Sequence, residues 1–368
     1  MGTSQVIYIR TDGNKDIAAG HIMRCLTIAR EIITLGHSVC FLVSDTDSLD
    51  ILSSNESSIH LLENTESLTE NISGAKIYAL MLPNAEYRNL ESELPELKCL
   101  LQTRPGTLLI DSYFITDTYL KELRTITKTA YIDDIRAFEY TTDLLINYDC
   151  FSEEMCAEYK QGIYKHVGTL LLGVMYSPLR PHFFTHKIDI TQDAKNILVT
   201  TGSSDPYHFT LQFCNRLVDN PNLSVYQYHI VIGSLNTDFE ALKVLTKDFP
   251  SIHLHTGLTD LMPLMLTCDL AITAGGTTLY ELSALGIPSF SFSMADNQIS
   301  NVTIMDELNA IPYCGDIRTD MDGVLTRTFS FIHDYALDFA KRKAVHTKMN
   351  SLINGDGAKR IADALLKL

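Results

Sequence analysis

The chain has 368 residues, beyond the roughly 250–300 at which a single core stops growing, so two domains are expected. Hydrophobic residues make up 45% and charged residues 20%, ordinary globular composition that excludes a disordered chain. A formal net charge of −16 with no basic stripe argues against nucleic acid or an acidic membrane surface as partner, although a small anion can still bind at a helix N-terminus or beside a local arginine.

The eight cysteines form no C-x-x-C pair and sit mostly in apolar runs such as "SVCFLV", the usage of reduced, buried thiols in a cytoplasmic protein. The opening "MGTSQVIYIRTDG" lacks the basic start and apolar core of a signal peptide. No apolar run approaches the ~18 residues of a membrane-spanning helix. A soluble cytoplasmic protein without a transmembrane segment is expected; its oligomeric state is left open.

In chain order, "VIYIR" (6–10) reads as a buried strand. A helix follows over 20–35 with Ile22, Cys25, Leu26, Ala29 and Ile33 on one face. "SVCFLV" (38–43) is the next strand, and 44–75, rich in Ser, Asn and Glu, follows neither period. Strands are predicted at 107–111, 129–133 and 143–146, with a helical stretch near 116–128. The rhythm stops near 176–195, a stretch with two prolines that is the candidate boundary. It restarts with strands at 196–202, 226–233, 251–257, 269–276 and 289–293. Helices are predicted near 207–219, 236–247, 259–266, 277–285 and 296–308, and the last ~45 residues read as helical. Strands alternating with helices imply parallel α/β sheets. The expected division is an N-terminal Rossmann-like domain, 1–180, and a C-terminal Rossmann-like nucleotide-binding domain, 190–368, facing each other across a cleft.

The chemistry is sought at strand-to-helix junctions. "DIAAGHIMRCLTIA" (16–29) puts His21 directly behind Gly20 at a helix mouth, as an accidental cap, a phosphate contact or a proton acceptor. Asp12 in "RTDGN" is a turn former or a cleft carboxylate, and "IDSY" places Asp111 and Tyr113 at another strand end. "IDDIR" (132–136) resembles a metal pair but is more often a turn, so no metal site is expected. In the second half, "DLAITAGGTTLYELSALGIP" (269–288) runs a strand into Gly275 and Gly276, with Thr277 and Thr278 opening a helix. Free N–H groups and the helix dipole suit a diphosphate there, and Glu281 suits ribose hydroxyls; a tight turn with a capping Thr is the plainer alternative. Asn297 and Gln298 follow the next strand, and "TTGSSDP" (200–206) repeats the pattern with Gly202 and Ser203. A P-loop, a G-x-G-x-x-G after the first strand, H-E-x-x-H and G-x-S-x-G are all absent from the sequence.

Taken together, "RTDGNKDIAAGHIMRCLTIA", "LLIDSY", "TGSSDP" and "AGGTTLYELSALGIP…DNQ" resemble the UDP-sugar hydrolases of pseudaminic acid biosynthesis, in the same order over most of the chain. The resemblance implies a GT-B fold and release of UDP from a UDP-activated 2,4-diacetamido-2,4,6-trideoxyhexose, with UDP as product and no cofactor required. By the same resemblance His21 is the base that activates water. Asp12, Gly20, Arg24, Asp111, Tyr113, Gly202 and Ser203 are implied in substrate binding. So are Gly275, Gly276, Thr277, Thr278, Glu281, Asn297 and Gln298. Two positions depart from the family pattern: Ala18 stands where I-G-x-G-H has its first glycine, and Ser203 replaces the second glycine of G-G-[ST]-D. A Cβ at position 18 disfavours positive φ and limits how closely the loop approaches a sugar. The alternatives are an inverting GT-B glycosyltransferase using the same UDP site with a sugar or lipid acceptor, and a catalytically silent nucleotide-sugar binder. A lipid acceptor requires an exposed apolar or basic patch in the first half, and the one candidate, "IYALMLP" (77–83), reads equally as a buried strand.

Overall fold

The computed structural model describes residues 5–67, 74–186, 188–258 and 260–368. Its contacts divide the chain into two units, Met1–Arg180 with Gly355–Leu368, and Pro181–Asn354.

The first unit is built on eight parallel strands: β1 (Val6–Thr11), β2 (Ser38–Val43), β3 (His60–Leu62), β4 (Ile77–Met81), β5 (Thr107–Asp111), β6 (Thr129–Ile132), β7 (Leu144–Asn147) and β8 (Thr169–Leu172). Their order across the sheet is β3-β4-β2-β1-β5-β6-β7-β8. β1 and β2 are buried along their whole length, which is why they read as continuous β-branched and apolar runs rather than alternating ones. In β4, Ile77–Leu80 are buried and only Met81 is exposed, so this run is a core strand. The helices are α1 (Gly20–Thr34), α2 (Thr46–Asn55), α3 (Leu94–Thr103), α4 (Asp117–Arg124) and α5 (Glu153–Gln161). α2 and α4 begin where a side chain takes an N–H of the first turn: Asp45 accepts from Ser48, and Thr116 from Tyr119. In α1 the apolar stripe is Ile22, Cys25, Leu26, Ile28, Ala29 and Ile32, all fully buried. Ile32 thus takes the core position expected of Ile33, the shift that a 3.6-residue period produces by the third turn.

Strand order reverses between β1 and β5, so the loops that follow them open a crevice at the carboxyl end of the sheet. Beneath it lies a fully buried arginine. Arg10 Nε donates to Glu93 Oε1 at 2.6 Å and Nη1 to Asp12 Oδ2 at 2.5 Å. Tyr119 Oη also donates to Glu93 Oε1, at 2.6 Å.

The second unit carries β9 (Asn196–Thr200), β10 (Gln227–Ile232), β11 (Ile252–Thr256), β12 (Leu270–Ala274), β13 (Ser289–Ser293) and β14 (Tyr313–Asp316), all parallel, in the order β11-β10-β9-β12-β13-β14. This is the doubly wound 3-2-1-4-5-6 arrangement, with its switch point between β9 and β12. Helices α6 (Phe209–Val218), α7 (Phe239–Thr246), α8 (Met262–Met265), α9 (Thr278–Leu285), α10 (Asp296–Glu307), α11 (Met321–Leu337) and α12 (Phe339–Leu352) complete the unit.

The chain then returns to the first unit as α13 (Gly357–Leu365), which packs against α1. Residues 355–368 therefore cluster with the first unit, in contrast to the expected 190–368 domain. The reason is the apolar face of α13, where Ala358, Ile361, Ala362 and Leu365 are buried. Among the described residues no helix is long and apolar enough to cross a membrane.

Candidate functional site

The carboxyl ends of four strands of the first sheet, β1, β5, β6 and β7, bring His21, Arg24, Asp111, Asp134 and Tyr148 together. Asp111 ends β5 and is buried; His21 and Arg24 lie one turn apart on α1, so both side chains face it. His21 Nδ1 is 2.6 Å from Asp111 Oδ1. Arg24 donates to both carboxylate oxygens, Nε to Oδ2 at 2.6 Å and Nη2 to Oδ1 at 2.5 Å. Arg24 also reaches Asp134 Oδ2 at 2.7 Å and Tyr148 Oη at 2.5 Å. Cys25 Sγ, one residue on, donates to Asp111 Oδ2 at 3.3 Å.

The electrostatics follow from this crowding. Burial pushes the Asp111 carboxyl up, but Arg24 and His21 on the same oxygens outweigh it and hold the group well below the usual carboxylate range. Asp111 is therefore an anion; His21 Nδ1 lies 2.6 Å from its Oδ1 and 3.0 Å from Arg24 Nη2, and since that Nη2 already donates to Asp111 Oδ1, the shorter contact to the anion favours the proton on His21 Nδ1. Nε2 is then the basic nitrogen, and it has no protein partner among the described residues. Tyr113 stands edge-on to the imidazole, ring centroids 4.4 Å apart at 76°, with 47% of its surface exposed. The first-turn N–H groups of Gly20, His21 and Ile22 have no hydrogen-bond partner among the described residues, and no side chain caps the helix. One helix start thus presents a base and a set of unspent donors.

The remaining first-unit candidates divide. Asp12 is almost wholly buried; Oδ2 takes Arg10, and Oδ1 accepts from Ser44 N at 2.7 Å and Ser44 Oγ at 2.9 Å. Its oxygens serve the fold of the loop ahead of His21. Gly20 opens α1 with an exposed surface and open space where a Cβ would stand. Ala18 adopts φ +57°, the left-handed region, despite its Cβ. Asp133 builds a turn, accepting from Ile135 N and Arg136 N and from the hydroxyls of Tyr140 and Tyr164, while its neighbour Asp134 points to Arg24. Asp134 was met in the sequence only as half of the "IDDIR" pair and read as a turn, and Tyr148 was not singled out. The signal that could have found them is position, each lying within two residues of a strand's carboxyl end.

In the second unit the three junctions lie on neighbouring strands, β9, β12 and β13. Gly202 follows β9 at φ +90°, with Ser203 exposed beside it at a φ that a side chain accommodates. Asp205 caps α6, accepting from Phe209 N at 2.9 Å and Thr210 N at 2.8 Å. A Cβ on Gly275 would fall 2.5 Å from Val302 Cγ1 and 3.0 Å from Gln298 Cβ, so this glycine lets the β12 turn meet the start of α10. Thr277 and Thr278 then open α9, and their backbone N–H groups have no partner among the described residues. Gly276 is spent locally, donating to Ala274 O. Glu281 lies half-buried on the first turn of α9. Gln298 Oε1 accepts from Met294 N at 3.0 Å, and Asn297 is exposed. A cation not anticipated from sequence, Arg318, bridges Asp316 at the end of β14 and Asp296 at the start of α10, each at 2.7 Å.

No family model matches the chain. It is 26% identical over 267 residues to the spore coat polysaccharide biosynthesis protein SpsG of Bacillus subtilis, covering 71% of this chain and 76% of that protein. Two further curated relatives, at 23% and 25% identity, are matched over 54% and 50% of their own lengths. Among solved structures, MurG of Acinetobacter baumannii aligns with a TM-score of 0.63 at 14% identity, covering 99% of this chain and 100% of that one. UDP-GlcNAc 2-epimerase from Neisseria meningitidis, bound to UDP-GlcNAc, aligns with a TM-score of 0.59 at 14% identity, covering 99% and 100%. These likenesses establish the fold as GT-B type, two Rossmann-like α/β domains.

Proposed function

We propose that the chain hydrolyses a UDP-activated sugar, of the 2,4-diacetamido-2,4,6-trideoxyhexose class of pseudaminic acid and related nonulosonate pathways, and releases UDP with inversion at the anomeric carbon. The observation that carries this reading is the His21–Asp111 pair, 2.6 Å apart, with His21 Nε2 left as an unengaged base. A glycosyl diphosphate already has a good leaving group, so the reaction needs a base for water and charge stabilisation on the departing diphosphate. Water oxygen attacks C1, its proton passes to Nε2, and the bond from C1 to the β-phosphate oxygen breaks, leaving through an oxocarbenium-like state. Asp111 holds the Nδ1–H tautomer and steadies the imidazolium that forms. The unspent N–H groups of Thr277 and Thr278 and the start of α9 suit the diphosphate, and Glu281 suits the ribose. The relative named for polysaccharide biosynthesis supports a place in surface-glycan assembly.

The test is turnover of a panel of UDP-sugars without acceptor, following UDP release and free sugar by anomeric NMR. Release without acceptor, with inverted product, is expected, and His21→Ala should lower turnover by ~10²–10⁴ with UDP affinity little changed. Turnover only when a sugar or lipid acceptor is added would assign the same site to a glycosyltransferase, and full activity of the variant would remove His21 from the chemistry.

A further inference from the structure

Among the carboxylates at the carboxyl end of the first sheet, Asp134 keeps accepting capacity that the fold does not use. The oxygens of its neighbours are spent: Asp12 on Arg10 and Ser44, Asp111 on Arg24 and His21, Asp133 on two backbone N–H groups and two tyrosine hydroxyls. Asp134 has one ionic contact, Oδ2 at 2.7 Å from Arg24 Nη2, and its Oδ1 has no hydrogen-bond partner among the described residues. The side chain is 23% exposed and Oδ1 is open to solvent, so a molecule entering the crevice can reach it. The carboxylate also stands close to the base. Arg24 Nη2 touches both Asp134 Oδ2, at 2.7 Å, and His21 Nδ1, at 3.0 Å, so the two groups lie no farther apart than those contacts end to end. Tyr113, edge-on to His21, feels the same anion: burial and then the Asp134 charge push its phenol up. A sugar whose anomeric carbon faces His21 Nε2 therefore brings the substituent on the adjacent carbon toward Asp134, and an ionised carboxylate can only accept.

We propose, on the hydrolase reading of the site, that Asp134 is a specificity-determining residue whose open oxygen takes a hydrogen bond from a donor on the carbon next to the one attacked. In a 2,4-diacetamido sugar that donor is the 2-acetamido N–H. Arg24 fixes the position of the carboxylate, so the acceptor is in place before the sugar arrives. An analogue without the donor displaces water from this oxygen and returns nothing, which is how a polar site rejects a near-isostere.

The experiment follows UDP release by the full chain from a UDP-activated 2,4-diacetamido-2,4,6-trideoxyhexose and from its analogue with an ester oxygen in place of the 2-amide N–H. The exchange keeps the carbonyl and the shape and removes only the donor. The parent chain should turn over the amide with a kcat/KM roughly 10–100-fold above that of the ester. Asp134→Ala should lower this ratio about tenfold or more, a comparison that cancels any difference in the intrinsic reactivity of the two sugars. Asp134→Asn, which keeps the shape and one neutral acceptor, should fall between. No preference in the parent chain would overturn the proposal. So would an equal loss on both sugars in Asp134→Ala with the ratio intact, which is what a purely structural carboxylate gives. If the parent chain releases no UDP without an acceptor, the hydrolase reading fails by itself, and calorimetric dissociation constants for the same two compounds, in the parent and in Asp134→Ala, decide the role of Asp134 by the same ratio.

Discussion

Asp111 faces a guanidinium and an imidazole with one carboxylate, and that division of labour decides what each partner can do. Arg24 saturates both oxygens, so the anion survives burial, and the anion in turn selects the His21 tautomer. Asp111→Asn keeps the shape but removes the charge. The amide has no reason to hold Nδ1–H, and Arg24 keeps only Asp134 as an ionic partner. Breaking a buried pair from one side costs about 3 kcal/mol or more. Turnover should also fall by a factor approaching that of the His21 variant, while addition of UDP should still stabilise the protein in a thermal shift. Normal turnover in Asp111→Asn would sever the two residues. Ala18 poses a different question at the same scale. Its Cβ in the left-handed region costs roughly 1–2 kcal/mol, part of which returns as lower chain entropy in the unfolded state. Ala18→Gly is therefore expected to raise stability by up to about 1 kcal/mol in urea unfolding. A loss of stability would show that the loop relies on the alanine methyl. The backbone expected of a glycine is thus present without the glycine, a point that composition and motif could not reveal.

Among the elements, β10 and β11 place three histidines on one face. His229 Nδ1 lies 3.1 Å from His255 Nε2, His253 Nε2 lies 2.8 Å from Gln227 Oε1, and the rings of His229 and His253 stack at 5.1 Å. The His229–His255 bond needs a lone pair on one of its two nitrogens, so it cannot survive with both of those rings doubly protonated. Burial and the neighbouring His253 push His229 and His255 below the ordinary histidine value. The unfolded chain then takes up protons near pH 6.5 while the folded one resists, so this contribution is fully present above that pH and fades as the pH falls through the folded values. Urea midpoints should drop between pH 8 and pH 5.5, and His255→Gln should flatten the drop; an unchanged pH slope in the variant would exclude the cluster as its source. Nothing in the sequence pointed to this trio, because a parallel register that pairs residues 24 positions apart is a tertiary fact. The strands themselves were legible. β2 and β13 span the expected residues, and most other strands fall within a residue or two, since a strand covered on both faces is an apolar run. α2 was not legible, because its ten residues bury only Ser48 and Leu52 and so show no stripe. The Arg10–Glu93 pair was hidden for a similar reason. A fully buried ion pair contradicts the burial preferences that sequence reading uses, and its members lie 83 residues apart.

For the molecule as a whole, the decisive segment is the last one. A helical C-terminus was expected, but membership of the first unit could not be, since a short amphipathic helix such as GAKRIADAL carries no record of which apolar surface it covers. α13 buries Ile361 and Leu365 completely against a unit whose sequence ended at Arg180. Removing such side chains costs about 2–5 kcal/mol each, a transfer term plus the cavity left behind. Because each unit has its own sheet and core, unfolding of the chain need not be a single transition, and a global midpoint is the wrong readout. Hydrogen exchange resolves the units instead. In Ile361→Ala, amides of α1 and of β7, which α13 also touches, should lose protection, whereas β9, β10 and β12 should exchange as in the parent chain. On the proposed function, the same variant should lose turnover at temperatures where added UDP still protects β9 and β12 from exchange, because His21 and Arg24 sit on α1, the helix that α13 supports. Loss of protection in β9 and β12 to the same extent as in α1 would show that the chain folds as one cooperative body and that its C-terminal helix stabilises both sheets alike.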